Sequence, residues 1–338
     1  ILSSPVWAEP VEALPFTFAL PKTVQPFDRL RANGVFAAGP IGDLRHRITR
    51  TLGLFRFEPP ENLSIPARMT GPTPKSWITA ITPYAPGRSS SASDAPTIKL
   101  SSNENPLGTS EQAQSALAGA RGALARYPDP NSTALRSALA ERNGIEVDRI
   151  VCGTGSDEIL HLAAGAYASI GDEILYVRYG FTVYPLSARR VGATPVEADD
   201  ADYATDIDAL IAAITPATRV IFLANPNNPT GTYTPMSEIA RLHDVMPEDC
   251  LLVIDQAYAE YLDPDEAVLP LELARNANNI LVTRTFSKIY GLAAERVGWA
   301  YGPAPVIEAL NCIRGPFNVT TAGQAAAMAA LQISRLVP

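Results

Sequence analysis

From Lys99 onward the chain alternates between two kinds of apolar run. Short unbroken runs rich in Val, Ile and Leu occupy 149–152, 173–178, 218–224, 250–255 and 280–284, with a weaker one at 297–301. They have strand length and lack the polar alternation of a half-exposed strand, which predicts burial on both faces. Around and between them, apolar positions recur with helical spacing over 111–125, 132–143, 156–168, 182–191, 206–214, 235–246, 304–313 and 320–331. Buried strands alternating with helices predict an α/β fold. Its mostly parallel central sheet is flanked by helices and joined by right-handed crossovers. No internal repeat of fixed period is visible.

Residues 1–68 behave differently. They hold no sustained period, and prolines break them repeatedly, from Pro5 and Pro10 to Pro60 and Pro66. This stretch reads as a poorly ordered extension, and 85–97, with its Ser and Pro, reads as a loop. After the helical run at 320–331 no second set of strands and helices follows.

Composition narrows the class. The 338 residues are 46% hydrophobic and 18% charged, which is ordinary soluble globular composition. A formal net charge of -8 leaves no basic field for nucleic acid. No apolar run is long enough to span a membrane, and no secretory signal is visible. Cys152, Cys250 and Cys312 lack metal-ligand spacing, and His46, His161 and His243 are scattered, so no metal site is expected. Three unpaired thiols fit a reducing cytoplasm.

Candidate chemistry gathers where strands end. Lys288, in Thr285-Phe286-Ser287-Lys288, follows the run Ile280-Leu281-Val282. An amine at the mouth of a buried strand can form a Schiff base with an aldehyde cofactor and, once freed, act as a base; alone it could equally be a surface lysine. Asp255 ends the run Leu251-Leu252-Val253-Ile254 and faces the crevice where open α/β sheets bind ligands, unless it serves as a helix cap. Tyr258 follows three residues later. Asn228 lies in Asn225-Pro226-Asn227-Asn228-Pro229-Thr230-Gly231, a turn whose Pro229 and Gly231 fix the direction of its amide. Gly153-Thr154-Gly155-Ser156-Asp157-Glu158 follows a strand and opens a helix. Ser156 and Asp157 can therefore present backbone N–H groups to a phosphate, or simply cap the helix. The hydroxyls of Thr285 and Ser287 and the guanidinium of Arg296 would complete an anion cup. Phe181 or Tyr184 could stack on a cofactor ring, or pack in the core.

In this order the segments resemble the fold-type-I aminotransferases that use pyridoxal 5'-phosphate (PLP). Over about 69–331 they look like the histidinol-phosphate aminotransferases, a class-II branch of that family. The resemblance is carried by Lys99-Leu100-Ser101-Ser102-Asn103-Glu104-Asn105-Pro106-Leu107-Gly108, by Arg126-Tyr127-Pro128-Asp129, by Ala224 through Gly231, and by Thr283 through Leu292. It implies that Lys288 carries the cofactor and Asp255 pairs its ring nitrogen. Asn228 and Tyr258 hold the ring oxygen, and Phe181 stacks on the ring. Tyr127 is implied to reach the cofactor phosphate of a second subunit, in a homodimer.

The implied reaction converts L-histidinol phosphate and 2-oxoglutarate to imidazole acetol phosphate and glutamate, for histidine biosynthesis. Aromatic-amino-acid aminotransferase and threonine-phosphate decarboxylase activities are alternatives on the same scaffold, and a non-catalytic remnant is a third. The implied organisation is a non-family extension over 1–68, an arm over 69–110, a PLP-binding large domain over 111–332 and a non-family tail over 333–338. Three departures stand out. Ala293-Ala294-Glu295-Arg296 replaces a more usual Ala-Gly-Leu-Arg, Tyr179 replaces a more usual residue in the stacking loop, and the small C-terminal domain is expected to be truncated.

Overall fold

In the computed structural model, residues 71–83 and 102–332 are described. The expectations for 1–68, 85–97 and 333–338 lie outside them. The described chain runs α1 (Ser76–Thr79), α2 (Glu111–Gly119), α3 (Thr133–Asn143), β1 (Ile150–Gly153), α4 (Ser156–Tyr167), β2 (Glu173–Val177), α5 (Val183–Val191) and β3 (Thr194–Ala198). A small hairpin follows, β4 (Asp200–Ala201) and β5 (Ala204–Thr205), and then α6 (Ile207–Ala213), β6 (Thr218–Ala224), α7 (Met236–Val245) and β7 (Leu251–Asp255). The remainder is α8 (Pro264–Asn276), β8 (Ile280–Thr285), β9 (Gly298–Tyr301), α9 (Ala304–Ile313) and α10 (Thr321–Leu331).

The apolar runs become one seven-stranded sheet of order β1-β9-β8-β7-β6-β2-β3. Pairing is parallel from β3 through β2, β6 and β7 to β8. Strand β9 alone runs against its neighbours, β8 and β1. Successive side chains on a strand point to opposite faces, and here both faces are dry. Ile221, Leu223, Leu252, Ile254 and Val282 join one core with Leu139, Leu242 and Leu271 from helices α3, α7 and α8. Val220, Phe222, Leu251, Val253 and Leu281 join the other with Ile159, Tyr184 and Leu310 from α4, α5 and α9. That two-sided cover explains the unbroken hydrophobic runs.

Helices α1 and α8 and strands β3, β4 and β5 lie outside the expected runs, and α2 is shorter than expected. Helix α2 ends at Gly119 and continues as a 3-10 turn over Ala120–Ala123 rather than as regular helix to 125. Strand β3 contains Pro195 yet pairs along β2; it is an edge strand, where a missing N–H costs no ladder bond. Helix α8 carries Pro270 in its interior and Pro264 at its start. Burial of Pro270, Leu271 and Ala274 holds it together despite the missing donor.

Candidate active site

The carboxyl ends of β6, β7 and β8 open onto one pocket, closed on the far side by the start of α4. Nine of the twelve candidates line it: Ser156, Asp157, Phe181, Asn228, Asp255, Thr285, Ser287, Lys288 and Arg296. Open parallel sheets place ligands at this end of their strands. A wider groove alongside, with Thr154, Glu158, His161 and Arg190, shares only Asp157 with it and holds neither the amine nor the buried acid.

Asp255 is 3% exposed. Its two oxygens accept separate hydrogen bonds, Oδ1 from Thr283 Oγ1 at 2.9 Å and Oδ2 from Tyr184 Oη at 3.0 Å. Thr283 is its register partner on β8. Burial pushes the carboxyl above the usual range; the hydroxyls of Thr283 and Tyr184 oppose that, Asp157 adds to it and Lys288 opposes it.

The Lys288 loop is pinned from two sides. Phe286 N–H donates to Val297 O at 2.9 Å, and Ser287 N–H to Thr285 Oγ1 at 3.1 Å. Residues 102–109 cross the loop: Asn105 Nδ2 donates to Ile289 O at 2.7 Å and Thr109 Oγ1 to Gly291 O at 2.6 Å. Gly291, at φ +67°, packs where any Cβ would collide with Gly108 O. Lys288 Nζ donates to Ser102 O at 3.4 Å. Burial lowers the pKa of this amine, Asp255 raises it and Arg296 lowers it further. Its ammonium lies 5.6 Å from the ring centre of Tyr258. Tyr258 is absent from the pocket lining; its Oη accepts from Asn103 Nδ2 at 2.9 Å.

The anion side begins with Gly155, at φ +80°, which N-caps α4 without any side-chain cap on the helix amides. Arg296, in the left-handed region at φ +53°, reaches Asp157 Oδ1 at 2.8 Å, Ser287 Oγ at 3.2 Å and Ala293 O at 3.1 Å. Asn228 sits in a turn held by Asn225, whose side chain exchanges hydrogen bonds with the Thr234 backbone at 2.9 Å each way. Gly231, at φ +75°, closes that turn by donating to Asn227 O at 2.9 Å.

Tyr127 stands elsewhere: it is 81% exposed and stacks on Phe317 at 4.4 Å. Sequence reasoning left Thr283 and Asn103 without roles and Tyr184 open between stacking and core. The strand pattern could have found Thr283, because it precedes Thr285 by two residues and so shares its face. Nothing local marks Asn103 as the partner of a tyrosine 155 positions away.

Sheet order and pocket define an α/β enzyme whose site gathers a half-buried amine, a buried acid, a guanidinium and the uncapped start of a helix. The family profile of aminotransferase class I and II matches residues 95–337. A histidinol-phosphate aminotransferase of Sphingopyxis alaskensis is 63% identical over 262 residues, 77% of this chain and 71% of that protein. One from Zymomonas mobilis is 62% identical, over 77% of this chain and 70% of that one. Among solved structures, a Sinorhizobium meliloti histidinol-phosphate aminotransferase in complex with pyridoxal-5'-phosphate superposes with a TM-score of 0.65 at 32% identity, over 68% of this chain and 62% of that one. A Thermus thermophilus aspartate aminotransferase mutant gives 0.62 at 27% identity, over 68% and 63%. The chain belongs to the class I and II aminotransferases, in their histidinol-phosphate aminotransferase branch. It spans somewhat under two thirds of the length of the Sinorhizobium enzyme.

Proposed function

We propose that this chain binds pyridoxal 5'-phosphate and transfers the amino group of L-histidinol phosphate to 2-oxoglutarate, giving imidazole acetol phosphate and glutamate in histidine biosynthesis. The observation that carries the reading is the shared pocket of Lys288 and Asp255, with the uncapped start of α4 and Arg296 at its edge. The donor set suits the cofactor. It offers an amine, a buried acid, an aromatic ring in Phe181, an amide in Asn228, and an anion cup of Ser156, Asp157, Thr285, Ser287 and Arg296.

When bound, the cofactor supplies an aldehyde for an amine and a ring that withdraws electrons from the substrate Cα. The chain supplies the rest. Asp255 holds a proton on the ring nitrogen, and its burial keeps water from competing for that contact. Lys288 would hold the cofactor and, as a neutral amine, would be placed to take the proton from substrate Cα; burial favours that neutral form. Asn228 and Tyr258 would donate to the ring oxygen, and Phe181 would cover one ring face. Arg296 and the α4 amides fix the phosphate by charge and by the helix N-terminus. Tyr127, exposed on its own subunit, extends to the phosphate in a second copy, which makes the working unit a homodimer. The free Cys152, Cys250 and Cys312 favour a cytoplasmic setting, and among the described residues no helix is long and apolar enough to cross a membrane.

The test is a half-reaction. The purified chain is loaded with pyridoxal 5'-phosphate and mixed separately with L-histidinol phosphate and L-phenylalanine, and the visible cofactor band is followed. The reading expects faster decay with the phosphate-bearing donor. A band that neither donor changes, or that phenylalanine discharges faster, overturns it.

A further inference from the structure

Among the described residues, Asp255 is anchored by hydroxyls and not by a cation. One oxygen takes a proton donor from Tyr184 at 3.0 Å and the other from Thr283 at 2.9 Å, and both donors are neutral hydroxyls. Its remaining lone pairs are free for a ligand in the pocket that it lines. The Tyr184 ring is clamped. It stacks on Phe222 at 5.0 Å and 11° and meets Phe181 edge-on at 5.9 Å. A Cβ at Gly180 would press on Tyr184 Cδ2 at 3.3 Å. The side chain is 1% exposed, so its hydroxyl has no water to turn to. A tyrosine whose only task was packing would serve equally well as phenylalanine, since an unpaired buried hydroxyl costs stability.

We propose that Tyr184 is a positioning residue: its hydroxyl keeps Asp255 ionised and aimed, without neutralising it, so that the full negative charge is available to a cationic ring nitrogen. An arginine or lysine in the same place would cancel that charge; a dipole stabilises it and leaves it intact. Thr283, opposite Asp255 on β8, does the same from the other side. The other ionisable groups acting on Asp255 are Asp157 and Lys288, with Tyr258 also within its field. The proposal rests on the cofactor reading above and extends it to a residue that touches the acid but need not touch the cofactor.

The experiment compares the affinity of the whole chain for pyridoxal 5'-phosphate with its affinity for the carbocyclic analogue that lacks the ring nitrogen. It uses wild type, Tyr184→Phe, Thr283→Val and Asp255→Asn, and 13C NMR titration of the Asp255 carboxyl in cofactor-free protein accompanies it. Wild type should prefer the nitrogen-bearing ring, and Asp255→Asn should lose the preference. Tyr184→Phe should reduce it roughly tenfold and raise the Asp255 titration by about one unit, the effect of one lost charge-assisted hydrogen bond. Thr283→Val should act in the same direction, and it carries the test if Tyr184→Phe does not fold. If Asp255→Asn loses the preference while both hydroxyl variants keep it with unmoved titrations, the role of Tyr184 is refuted and the cofactor reading stands. If wild type shows no preference at all, the cofactor reading fails first and the proposal fails with it.

Discussion

Arg296 Nη2 lies 2.8 Å from Asp157 Oδ1, so the cation of the proposed phosphate cup already holds a carboxylate. Both side chains are partly exposed, and a pair of that kind contributes little by itself. On the proposed cofactor reading, an incoming phosphate, with more charge and three oxygens, would displace Asp157 from the guanidinium while the α4 amides stay in place.

Arg296→Gln should therefore weaken pyridoxal 5'-phosphate binding by about ten- to a hundredfold, the worth of a hydrogen bond to a charged group. Asp157→Asn removes the competitor and should leave affinity equal or tighter. Equilibrium binding at low and high salt checks both, and a larger loss in Asp157→Asn than in Arg296→Gln would reverse the assignment.

The start of β9 is pressed against the same cup. A Cβ on Gly298 would run into the Ser156 amide nitrogen and the Gly155 carbonyl carbon. These are backbone atoms that cannot swing aside, and Gly298 is locked opposite Gly153 in the sheet. Gly298→Ala should cost about 1–3 kcal/mol in urea unfolding, the usual cost of overpacking. It should also impair phosphate binding, because the displaced atoms belong to the cup. A normal urea midpoint with normal affinity would show that the approach is looser than described.

Much of this was legible in the chain because the chemistry sits at strand ends. Asp255 closes β7 and Thr285 closes β8, so locating the apolar runs located those residues. Ser156 opens α4 directly after β1 and its glycines. Strand β3 and helix α8 lay outside the expected runs; each contains a proline, tolerated in β3 because it is an edge strand and in α8 because tertiary burial sustains the helix. The contacts that tune the acid were hidden for another reason. Tyr184 and Asp255 are 71 residues apart, and their hydrogen bond exists only after α5 packs on the sheet. Local pattern carries no record of such a meeting.

Asp255 gives a pH prediction for cofactor-free protein. Its folded pKa is raised, chiefly by burial, so the folded state binds this proton more tightly than the unfolded chain does. Its contribution to stability is complete below the unfolded value, near 3.8, and is lost as pH rises through the folded value. Asp255→Asn removes that loss. Relative to wild type, the apo variant should gain in urea midpoint as pH climbs from about 4 toward neutrality, while the stabilisation conferred by pyridoxal 5'-phosphate should shrink. A parallel pair of pH–midpoint curves would contradict the burial argument.

Lys288 offers a two-way test. Burial lowers its pKa from 10.5, Asp255 raises it and Arg296 lowers it. Asp255→Asn should therefore move the amine further down, and Arg296→Gln should move it up. Reductive methylation of cofactor-free protein across pH, read by mass spectrometry of the Lys288 peptide, gives the midpoint of each. Opposite shifts would be hard to obtain from a general loosening of the loop, which exposes the amine and drives both variants upward. The same lysine carries the covalent test: borohydride should fix cofactor to wild type and none to Lys288→Ala. Equal labelling of the two would move the anchoring amine to another residue, and the roles of Asp255 and Arg296 would have to move with it.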